Sequence, residues 1–509
     1  MSTAFYDAVI LGTDLAPLTC GALLAKRGFR VLVVGQQQSA PDYRLGPRRL
    51  PRRPFTFTAS RSPLTERVMS ELGLTQSYRR LARSLDPAYQ IAIPEHRFDV
   101  TSDEGRFEGE VEREFAAVKR PVLDFHRQVR DHAEASDELF RRDLVWPPES
   151  FLERRELARV AARLPSARMA AEHATLGELP EAHPFRAAAL ASASFDARLG
   201  ADGFTQLQLA RLYAGRYLGS ARIEGGLAAL SQLLSEKIRA HSGEIQPLER
   251  VREIVVRRGH VTGVRLFGAD DEVGGRVVVA GVDVSAVQRL LSDRSAFEQL
   301  FERHGEPQAR HYCYTLNAVL DAGARPAGMA DEVFAVRDLS RSLSEDNLLH
   351  VQAERGGDEL LLCVEALLPV GVVESREAYM DDVRERVMAA LEDVVPFAGE
   401  HLRMLDSPHD GRAPWSRDTE ADLTLDPHER RGVQTMPAIH DYPSTRALGL
   451  SAMPIRTPLR GLLLCSGQVA PGLGVEGCLL AAFSAARVVS RADRSKAWMR
   501  RRLWTKVQI

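Results

Sequence analysis

The chain of 509 residues contains 44% hydrophobic and 27% charged residues, and its formal net charge at pH 7 is -2. At about 150 residues per domain, this composition predicts a globular protein of two or three domains, and it excludes a disordered chain, a collagen-like chain and a small disulfide scaffold. The near-neutral charge gives no support to polyanion binding through overall charge, and no nucleic-acid-binding motif accompanies the arginines.

The cysteines and the chain start indicate the compartment. Five cysteines are scattered without a Cys-x-x-Cys pair, at positions 20, 313, 363, 465 and 478. This favours a reducing compartment and argues against a disulfide framework or a zinc site. The first residues show no signal-peptide pattern, and no apolar run reaches the roughly 18 residues of a membrane-spanning helix. We therefore expect a cytoplasmic protein.

The N-terminal segment has the pattern of a β-α-β unit. Residues 6–11 form an apolar run typical of a buried strand, residues 15–28 an Ala- and Leu-rich helix that ends at glycine, and residues 30–34 a second apolar strand. A parallel strand pair with a helical crossover has about this length. The sequence Gly12-Thr13-Asp14, between the first strand and the helix, is predicted to form a turn.

The rest of the chain alternates helical and strand patterns. We predict irregular structure over residues 41–63, one long amphipathic helix over 110–142, largely helical structure over 151–215, a helix over 227–242, strands over 251–257, 261–267, 276–280 and 359–365, a helix over 379–394, a strand over 462–465 and a helix over 475–490.

A strand followed by a glycine turn and a helix forms an anion site, because free backbone N–H groups and the helix dipole point at a phosphate. The dinucleotide-binding version reads Gly-x-Gly-x-x-Gly, with an acid at the end of the second strand for a ribose hydroxyl. In this chain Gly12 fits, but Asp14 and Pro17 replace the other two glycines and Gly35 replaces the acid. A generic β-α unit is therefore an equal alternative for this segment alone.

Later segments add to the N-terminal unit. The Gly225-Gly226 pair opens a helix, Val251 begins a strand that leads into a Gly-x-Val-x-Gly-Val hairpin, and residues 457–489 form a strand, a glycine-rich turn and a helix. Gly46-Pro47-Arg48 stands where a Gly-Gly-Arg motif would lie. In this order and spacing, over residues 7–489, the motifs resemble those of phytoene-desaturase-like FAD oxidoreductases of the flavin amine oxidase type.

The resemblance implies an α/β fold: a Rossmann-like FAD/NAD(P)-binding fold with an inserted α+β substrate domain. Both domains are then discontinuous. We expect FAD-binding-like segments at 1–75, 216–300 and 456–490. The substrate domain is expected to combine a mostly helical segment at 76–215 with a segment of sheet and helices at 301–455, and residues 491–509 form a basic C-terminal tail.

The resemblance also implies FAD as cofactor and hydride transfer between the flavin and an apolar substrate, such as a polyene or another lipid-like molecule. The helix that starts near Val475 would direct its positive end at the flavin ring. The pattern offers no catalytic acid or base and no metal site. By position in the motifs, the expected cofactor-binding residues are Gly12, Thr13, Asp14, Arg48, Val251, Gly467, Gly472, Gly474 and Val475.

The departures from the family pattern fall on the cofactor motifs. Asp14 adds bulk and a negative charge where a glycine would let the backbone approach a pyrophosphate, and Gly35 removes the ribose-binding acid. In residues 466–472, Ser-Gly-Gln-Val-Ala-Pro-Gly replaces the family's usual Gly-x-Gly-Thr-His-Pro-Gly. Two interpretations stay open: a flavoenzyme with divergent contacts, or a flavin-free, non-catalytic homologue that keeps the fold as a scaffold or partner-binding protein.

Two basic segments have alternative explanations. The arginines at positions 44, 48, 49, 52, 53 and 61 either bind an anionic cofactor or an acidic partner face, or form a solvated loop. The tail, residues 491–509, combines seven basic residues with Trp498 and Trp504. It predicts either peripheral contact with an anionic membrane, or a protein partner, or a helix docked on its own domain.

Overall fold

The computed structural model describes residues 4–164, 176–177, 179–180, 183–200, 203–268, 272–443 and 445–493. Within these residues the α-helices are α1 (Leu15–Lys26), α2 (Pro63–Leu72), α3 (Thr75–Leu81), α4 (Glu104–Phe115), α5 (Lys119–Arg141), α6 (Phe151–Ala161), α7 (Pro184–Asp196), α8 (Gln206–Gly219), α9 (Gly226–Ala240), α10 (Val284–Arg289), α11 (Ser295–His304), α12 (Val370–Ser375), α13 (Val383–Leu391) and α14 (Gly474–Ala492).

The strands of the same residues are β1 (Phe5–Leu11), β2 (Val31–Val34), β3 (Asp42–Leu45), β4 (Arg48–Pro51), β5 (Ala82–Ser84), β6 (Tyr89–Ile93), β7 (His96–Val100), β8 (Ala221–Ile223), β9 (Glu244–Gln246), β10 (Val251–Arg257), β11 (His260–Leu266), β12 (Glu272–Ala280), β13 (Gln308–Asp321), β14 (Glu332–Val336), β15 (Glu345–Gly356), β16 (Glu359–Pro369), β17 (Leu402–Asp406), β18 (Trp415–Ser416), β19 (Ala438–Asp441) and β20 (Leu462–Leu464).

The first sheet has seven strands, with β1 at its centre between β12 and β2. Both pairings of β1 are parallel, and Ile10 lies opposite Val279 on one side and Val33 on the other. These strands are buried runs of branched apolar residues, as a parallel sheet covered on both faces requires. The helix α1 connects β1 to β2, which confirms the predicted β-α-β unit.

The first sheet is assembled from three distant segments of the chain. The C-terminal strand β20 pairs in parallel with β12, with Leu463 opposite Val279. β12 in turn pairs with β1, so the strand of the last motif lies in the same sheet as the N-terminal unit. This arrangement confirms the Rossmann-like fold that the order of the sequence motifs predicts.

The second sheet has nine strands and contains the chain segments between those three. Its long central strands β13, β16 and β15 pair antiparallel, and β14 continues the sheet to β6 and β7. Helices α4, α5, α7 and α8 supply residues of the hydrophobic core on one of its faces. This sheet and these helices occupy the positions of the inserted substrate domain; the domain boundaries themselves stay a prediction.

Two local predictions are wrong. Residues 41–63 are not irregular throughout, because β3 and β4 form an antiparallel hairpin, with Tyr43 opposite Leu50 and both side chains buried. The long helix expected over 110–142 is broken by a short 3₁₀ turn at residues 116–118, which separates α4 from α5. A break there lets Phe115 of α4 and Val122 of α5 both reach the core.

The C-terminal helix is apolar and central. The segment Pro471–Ala492 is long and apolar enough to cross a membrane, but 78% of its apolar window is buried inside the protein. Burial of this kind is typical of a core helix packed between other elements. Most of the basic tail, 494–509, lies outside the described residues, and membrane or partner contact through it stays a prediction.

Candidate functional site

A cleft of about 1190 Å³ lies between the two sheets. On one side it is lined by the turn after β1 and by the start of α14, and on the other by β15, β16 and the loop after β17. The carboxyl ends of parallel strands are where α/β folds bind their ligands. The cleft is therefore the candidate functional site.

The cleft contains only some of the predicted cofactor residues. Those that line it are Asp14, Arg48, Gly467, Gly474 and Val475. The predicted contacts that do not line it are Gly12, Thr13, Val251 and Gly472. The loop after β2, at the expected adenosine position, does line the cleft through Gln37 and Gln38.

The side chain of Gln36 hydrogen-bonds to both backbone groups of Val251. Its amide nitrogen donates to the Val251 carbonyl oxygen at 3.1 Å, and the Val251 N–H donates to its amide oxygen at 2.7 Å. Val251 itself is fully buried. The resemblance places the adenine ring beside Val251, so the protein's own amide uses the donor and acceptor at that position.

The side chain of Gln38 covers the turn after β1 in the same way. Its amide oxygen accepts from the Thr13 N–H at 2.5 Å, and its amide nitrogen donates to the Asp14 carboxylate at 3.2 Å. A Cβ added at Gly12 would lie 2.9 Å from the same amide oxygen. The close approach that Gly12 permits is taken by Gln38.

The carboxyl group of Asp14 stands in the turn where a dinucleotide's phosphates would bind. Burial raises its pKa, an effect that Arg198 and Arg53 oppose and Asp283 reinforces. A negative charge at this position repels a phosphate at about 4 Å by roughly 1 kcal/mol in bulk water and about 4 kcal/mol near a protein surface. Asp14 and a pyrophosphate therefore compete for the same positive surroundings.

Gly35 leaves no room for the missing acid. A Cβ added at this position would lie 1.8 Å from the carbonyl oxygen of Pro247, which is far inside van der Waals contact. The backbone N–H of Gly35 also donates to the carbonyl oxygen of Gln246 at 3.0 Å. The close approach of the 246–247 backbone replaces the ribose-binding side chain of the family pattern.

The glycines of the last motif are covered by side chains from outside the first sheet. A Cβ at Gly467 would lie 2.4 Å from Cδ of Arg198, and one at Gly472 would lie 2.3 Å from Nε2 of Gln208. At the start of α14, the buried carboxylate of Glu476 binds the guanidinium of Arg211. The helix N-terminus therefore already carries a negative group from the chain itself.

These contacts decide whether FAD fits the residues present. The glycines that would admit the cofactor are each in close contact with another segment of the chain, and the Val251 backbone is fully paired. The acid and the loop glycine of the dinucleotide motif are absent. The adenosine and pyrophosphate positions therefore do not fit FAD in this structure, and we derive no chemistry through a flavin.

The second sheet contributes a buried charged cluster to the floor of the cleft. The carboxylate of Glu332 accepts hydrogen bonds from His350 Nε2 at 2.6 Å, from Gln352 Nε2 at 2.7 Å and from the hydroxyl of Thr56. Burial alone would raise the pKa of Glu332, but His350 and Arg216 hold it well below its usual range. Glu332 is thus an ionised carboxylate that fixes the His350 ring.

His350 lines the cleft together with Thr56 and Gln352 of this cluster. Burial alone would lower the pKa of His350, but Glu332 and Glu365 raise it, so the two carboxylates favour the protonated ring. Its Nδ1 atom has no hydrogen-bond partner among the described residues, and the nearer oxygen of Glu365 is 3.9 Å away. Glu365 itself accepts from Nε of Arg53 at 2.5 Å. In the protonated ring, Nδ1–H is a donor without a hydrogen-bond partner among the described residues.

His409 presents the opposite polarity. The hydroxyl of Thr435 donates to the carbonyl oxygen of Gly432 at 2.7 Å, so its oxygen accepts from His409 Nδ1 at 2.9 Å. Burial lowers the pKa of His409 to about 3, which keeps the ring neutral. In the tautomer whose Nδ1 donates to Thr435, Nε2 holds a lone pair and has no hydrogen-bond partner among the described residues.

Several arginines of residues 44–61 form ion pairs within the protein, which a solvated loop would not do. Arg48 Nη2 donates to Glu359 at 2.6 Å, Arg53 pairs with Glu365, and Arg52, only 6% exposed, pairs with Glu429. These arginines join the β3–β4 region to the second sheet. For Arg52 the solvated-loop alternative is wrong.

Sequence reasoning missed most of the residues that close the dinucleotide site or line the cleft floor. The available signal was the Gln36-Gln37-Gln38 run, which places uncharged polar residues directly after the strand where an acid is expected. A search of the histidines for metal spacing could not find the two that face the cleft. The missed residues are Gln36, Gln38, Arg198, Gln208, Glu332, His350, Glu365 and His409.

No protein-family model and no curated protein matches the chain, but solved structures do. An oxidoreductase from Methanosarcina mazei superposes with a TM-score of 0.57 and 14% identity over 94% of this chain and 99% of that one. Cyclohexylamine oxidase from Brevibacterium oxydans gives a TM-score of 0.54 and 13% identity over 96% and 99%.

Putrescine oxidase bound to putrescine gives a TM-score of 0.53 and 14% identity over 96% of this chain and 99% of that one. Identities this low show a shared fold, and they extend over nearly the whole of each chain. The chain therefore has the Rossmann-like fold of these oxidoreductases, from the N-terminal β-α-β unit to the C-terminal helix.

Proposed function

We propose that this protein is a flavin-free, non-catalytic homologue within the oxidoreductase fold and that its cleft binds a small molecule. The observation that carries the proposal is the double hydrogen bond between Gln36 and the Val251 backbone. A bound adenine would have to break both bonds. It would also have to displace Gln38 from the Thr13 N–H to bring a pyrophosphate to the turn.

The lining of the cleft gives no support to the apolar substrate that the family resemblance implies. Thirteen arginines and nine acidic residues line it, and their charges would be costly to bury against a polyene. A charged or hydroxylated ligand matches these groups better. The phytoene-desaturase-type activity is therefore not the function that we propose.

A second candidate is the FAD-dependent oxidoreductase that the family resemblance implies. Its support is the volume of about 1190 Å³, which exceeds that of most ligand sites, and the start of α14 with Val475 at the cleft wall. In this alternative, FAD would displace the glutamine side chains on binding. It requires that cofactor contacts offset the loss of their hydrogen bonds.

Flavin content decides between the candidates. The protein is purified without added ligand from cells supplied with riboflavin, and its visible absorbance and acid-released flavin are measured against protein concentration. We expect a colourless protein and no saturable binding of added FAD. Stoichiometric flavin in the purified protein would refute the flavin-free proposal.

Two variants test whether the Gln36 and Gln38 side chains are what excludes FAD. Replacing both Gln36 and Gln38 by alanine frees the Val251 and Thr13 backbone groups, whereas Gln37→Ala changes an exposed neighbour outside both contacts. If the glutamines close the site, added FAD or AMP should bind the double variant more tightly than Gln37→Ala. Equal binding of both variants would show that the glutamines are not the barrier.

A further inference from the structure

In the cleft lining, more arginines than acidic residues lack an ion pair to a described residue. Six of its lining arginines make no ion pair with any described residue: Arg80, Arg83, Arg198, Arg289, Arg355 and Arg430. The lining acids without an ion pair to a described residue are Asp14, Glu224, Asp283 and Glu354. An excess of guanidinium groups around one cleft concentrates anions at its entrance. The charge balance therefore favours an anionic ligand.

The unpaired arginines divide into a rim and one interior group. Five of the six are exposed at the surface, while Arg198 is partly buried. The Arg198 side chain crosses the face of Gly467, and the carboxylates of Asp14 and Asp283 attract it without an ion pair within 4.0 Å, so a bound anion competes with them for this guanidinium. The Arg198 guanidinium lines the cleft, and a group of this kind recognises carboxylate or phosphate.

Two buried imidazoles supply the neutral part of the recognition. His350 and His409 are 3% and 1% exposed, both line the cleft, and each has one ring nitrogen without a described partner. With the His350 ring protonated and His409 Nδ1 donating to Thr435, His350 Nδ1–H donates and His409 Nε2 accepts a hydrogen bond. Because both residues line the cleft, a complementary ligand there would supply the missing partner of each nitrogen.

We propose that the cleft binds a small organic anion that also carries a hydroxyl group. The Arg198 guanidinium binds the carboxylate or phosphate, the ligand hydroxyl donates to His409 Nε2, and His350 Nδ1–H donates to a further ligand oxygen. This assignment rests on the flavin-free function, because a bound FAD would fill the same cleft.

The test uses probe pairs that differ in a hydroxyl group. Citrate is compared with tricarballylate, and 3-hydroxypropyl phosphate with propyl phosphate, by calorimetry on the full chain at constant ionic strength. We expect the hydroxylated member of one pair to bind about fivefold more tightly, the effect of one hydrogen bond. The pair that binds distinguishes a carboxylate from a phosphate ester. Failure of all four probes to bind would overturn the proposal.

Matched variants test the residues. Arg198→Gln should weaken binding of the better probe about tenfold or more, whereas Arg252→Gln, an exposed arginine on β10 away from the cleft, should leave it unchanged. His409→Leu should remove the preference for the hydroxylated probe. Equal effects of the two arginine variants, or a preserved preference in a folded His409→Leu protein, would overturn the assignment.

Two controls keep the outcomes separate. Circular dichroism establishes whether each variant is folded, and if His409→Leu is not, the wild-type preference within a probe pair still tests the hydroxyl assignment. Flavin content is measured on the same wild-type sample. A yellow protein refutes the proposed function, whereas a colourless protein that binds no probe refutes only the anion site.

Discussion

The side-chain amide of Gln36 makes both of its hydrogen bonds to one residue, Val251, which lies 215 positions further along the chain. The pair joins the end of β2 to the start of β10, at the edge of the first sheet. Because Val251 is fully buried, removing the amide leaves its N–H and its carbonyl without a protein partner. The contact that closes the expected adenine position thus also contributes to the stability of the sheet.

Gln36→Ala should lower the free energy of unfolding by about 1–3 kcal/mol, because it leaves a buried N–H and a buried carbonyl without partners. Gln37→Ala, at an exposed position, should change it by less than about 0.5 kcal/mol. Urea unfolding of the two variants measures the difference. Equal stabilities would mean that the Gln36 contact does not form in solution.

Gly35→Ala should destabilise the protein by about 1–3 kcal/mol or more, because the new methyl group would overlap the carbonyl oxygen of Pro247. An acidic residue at this position would destabilise the protein more than alanine does. The family's ribose contact therefore cannot be restored by one substitution. Gly109→Ala, in α4 with open space around it, should instead stabilise by about 0.5–1 kcal/mol. Thermal melts that rank these variants in the reverse order would contradict the close approach of residues 35 and 247.

His126 makes the stability dependent on acid pH. Its ring stacks on Phe107 at 4.1 Å, and burial lowers its pKa to about 3. Below about pH 6.5 the unfolded chain binds a proton at this histidine and the folded chain does not. The free energy of unfolding therefore decreases as the pH falls from about 6.5 to the folded pKa of about 3. The loss is about 1.4 kcal/mol per pH unit for one fully neutral histidine.

His126→Phe keeps an aromatic ring and removes the titrating group, so the stability of this variant should fall less steeply between pH 6.5 and the folded pKa of about 3. His428→Phe replaces an exposed histidine and should keep the wild-type slope. Urea midpoints measured across this range test the prediction. Parallel profiles for wild type and His126→Phe would show that His126 is not held neutral.

Glu332→Gln should lower the free energy of unfolding by about 3–5 kcal/mol, because it removes the carboxylate that compensates the buried charges of His350 and Arg216. The matched change Glu354→Gln, at an exposed position, should have little effect. Chemical denaturation of both variants is the measurement. A Glu332→Gln protein as stable as wild type would contradict the ionised cluster.

Helices, strands and turns that a local sequence pattern determines could be predicted from the sequence. The run before Gly12, the Gly225-Gly226 turn and the last helix each combine a hydrophobic period with a boundary residue, and they lie where expected. The break at 116–118 was missed because the apolar period continues across it. It results from packing of α4 and α5 on a shared core.

The closure of the dinucleotide site could not be predicted, because it depends on contacts between distant residues. No local sequence pattern indicates that Gln36 hydrogen-bonds to Val251 or that the Arg198 side chain packs on Gly467. The absence of the acid at Gly35 was visible, but the carbonyl of Pro247 that replaces it was not. The sequence therefore indicated where the cofactor motif fails, and the structure supplies the physical reason.

The measurement that tests the central claim most directly is the flavin content of the protein purified from riboflavin-supplied cells, with FAD titration of the same sample. We expect a colourless protein that binds no added FAD, because Gln36 and Gln38 occupy the Val251 and Thr13 backbone groups. A purified protein with one FAD per chain would contradict it.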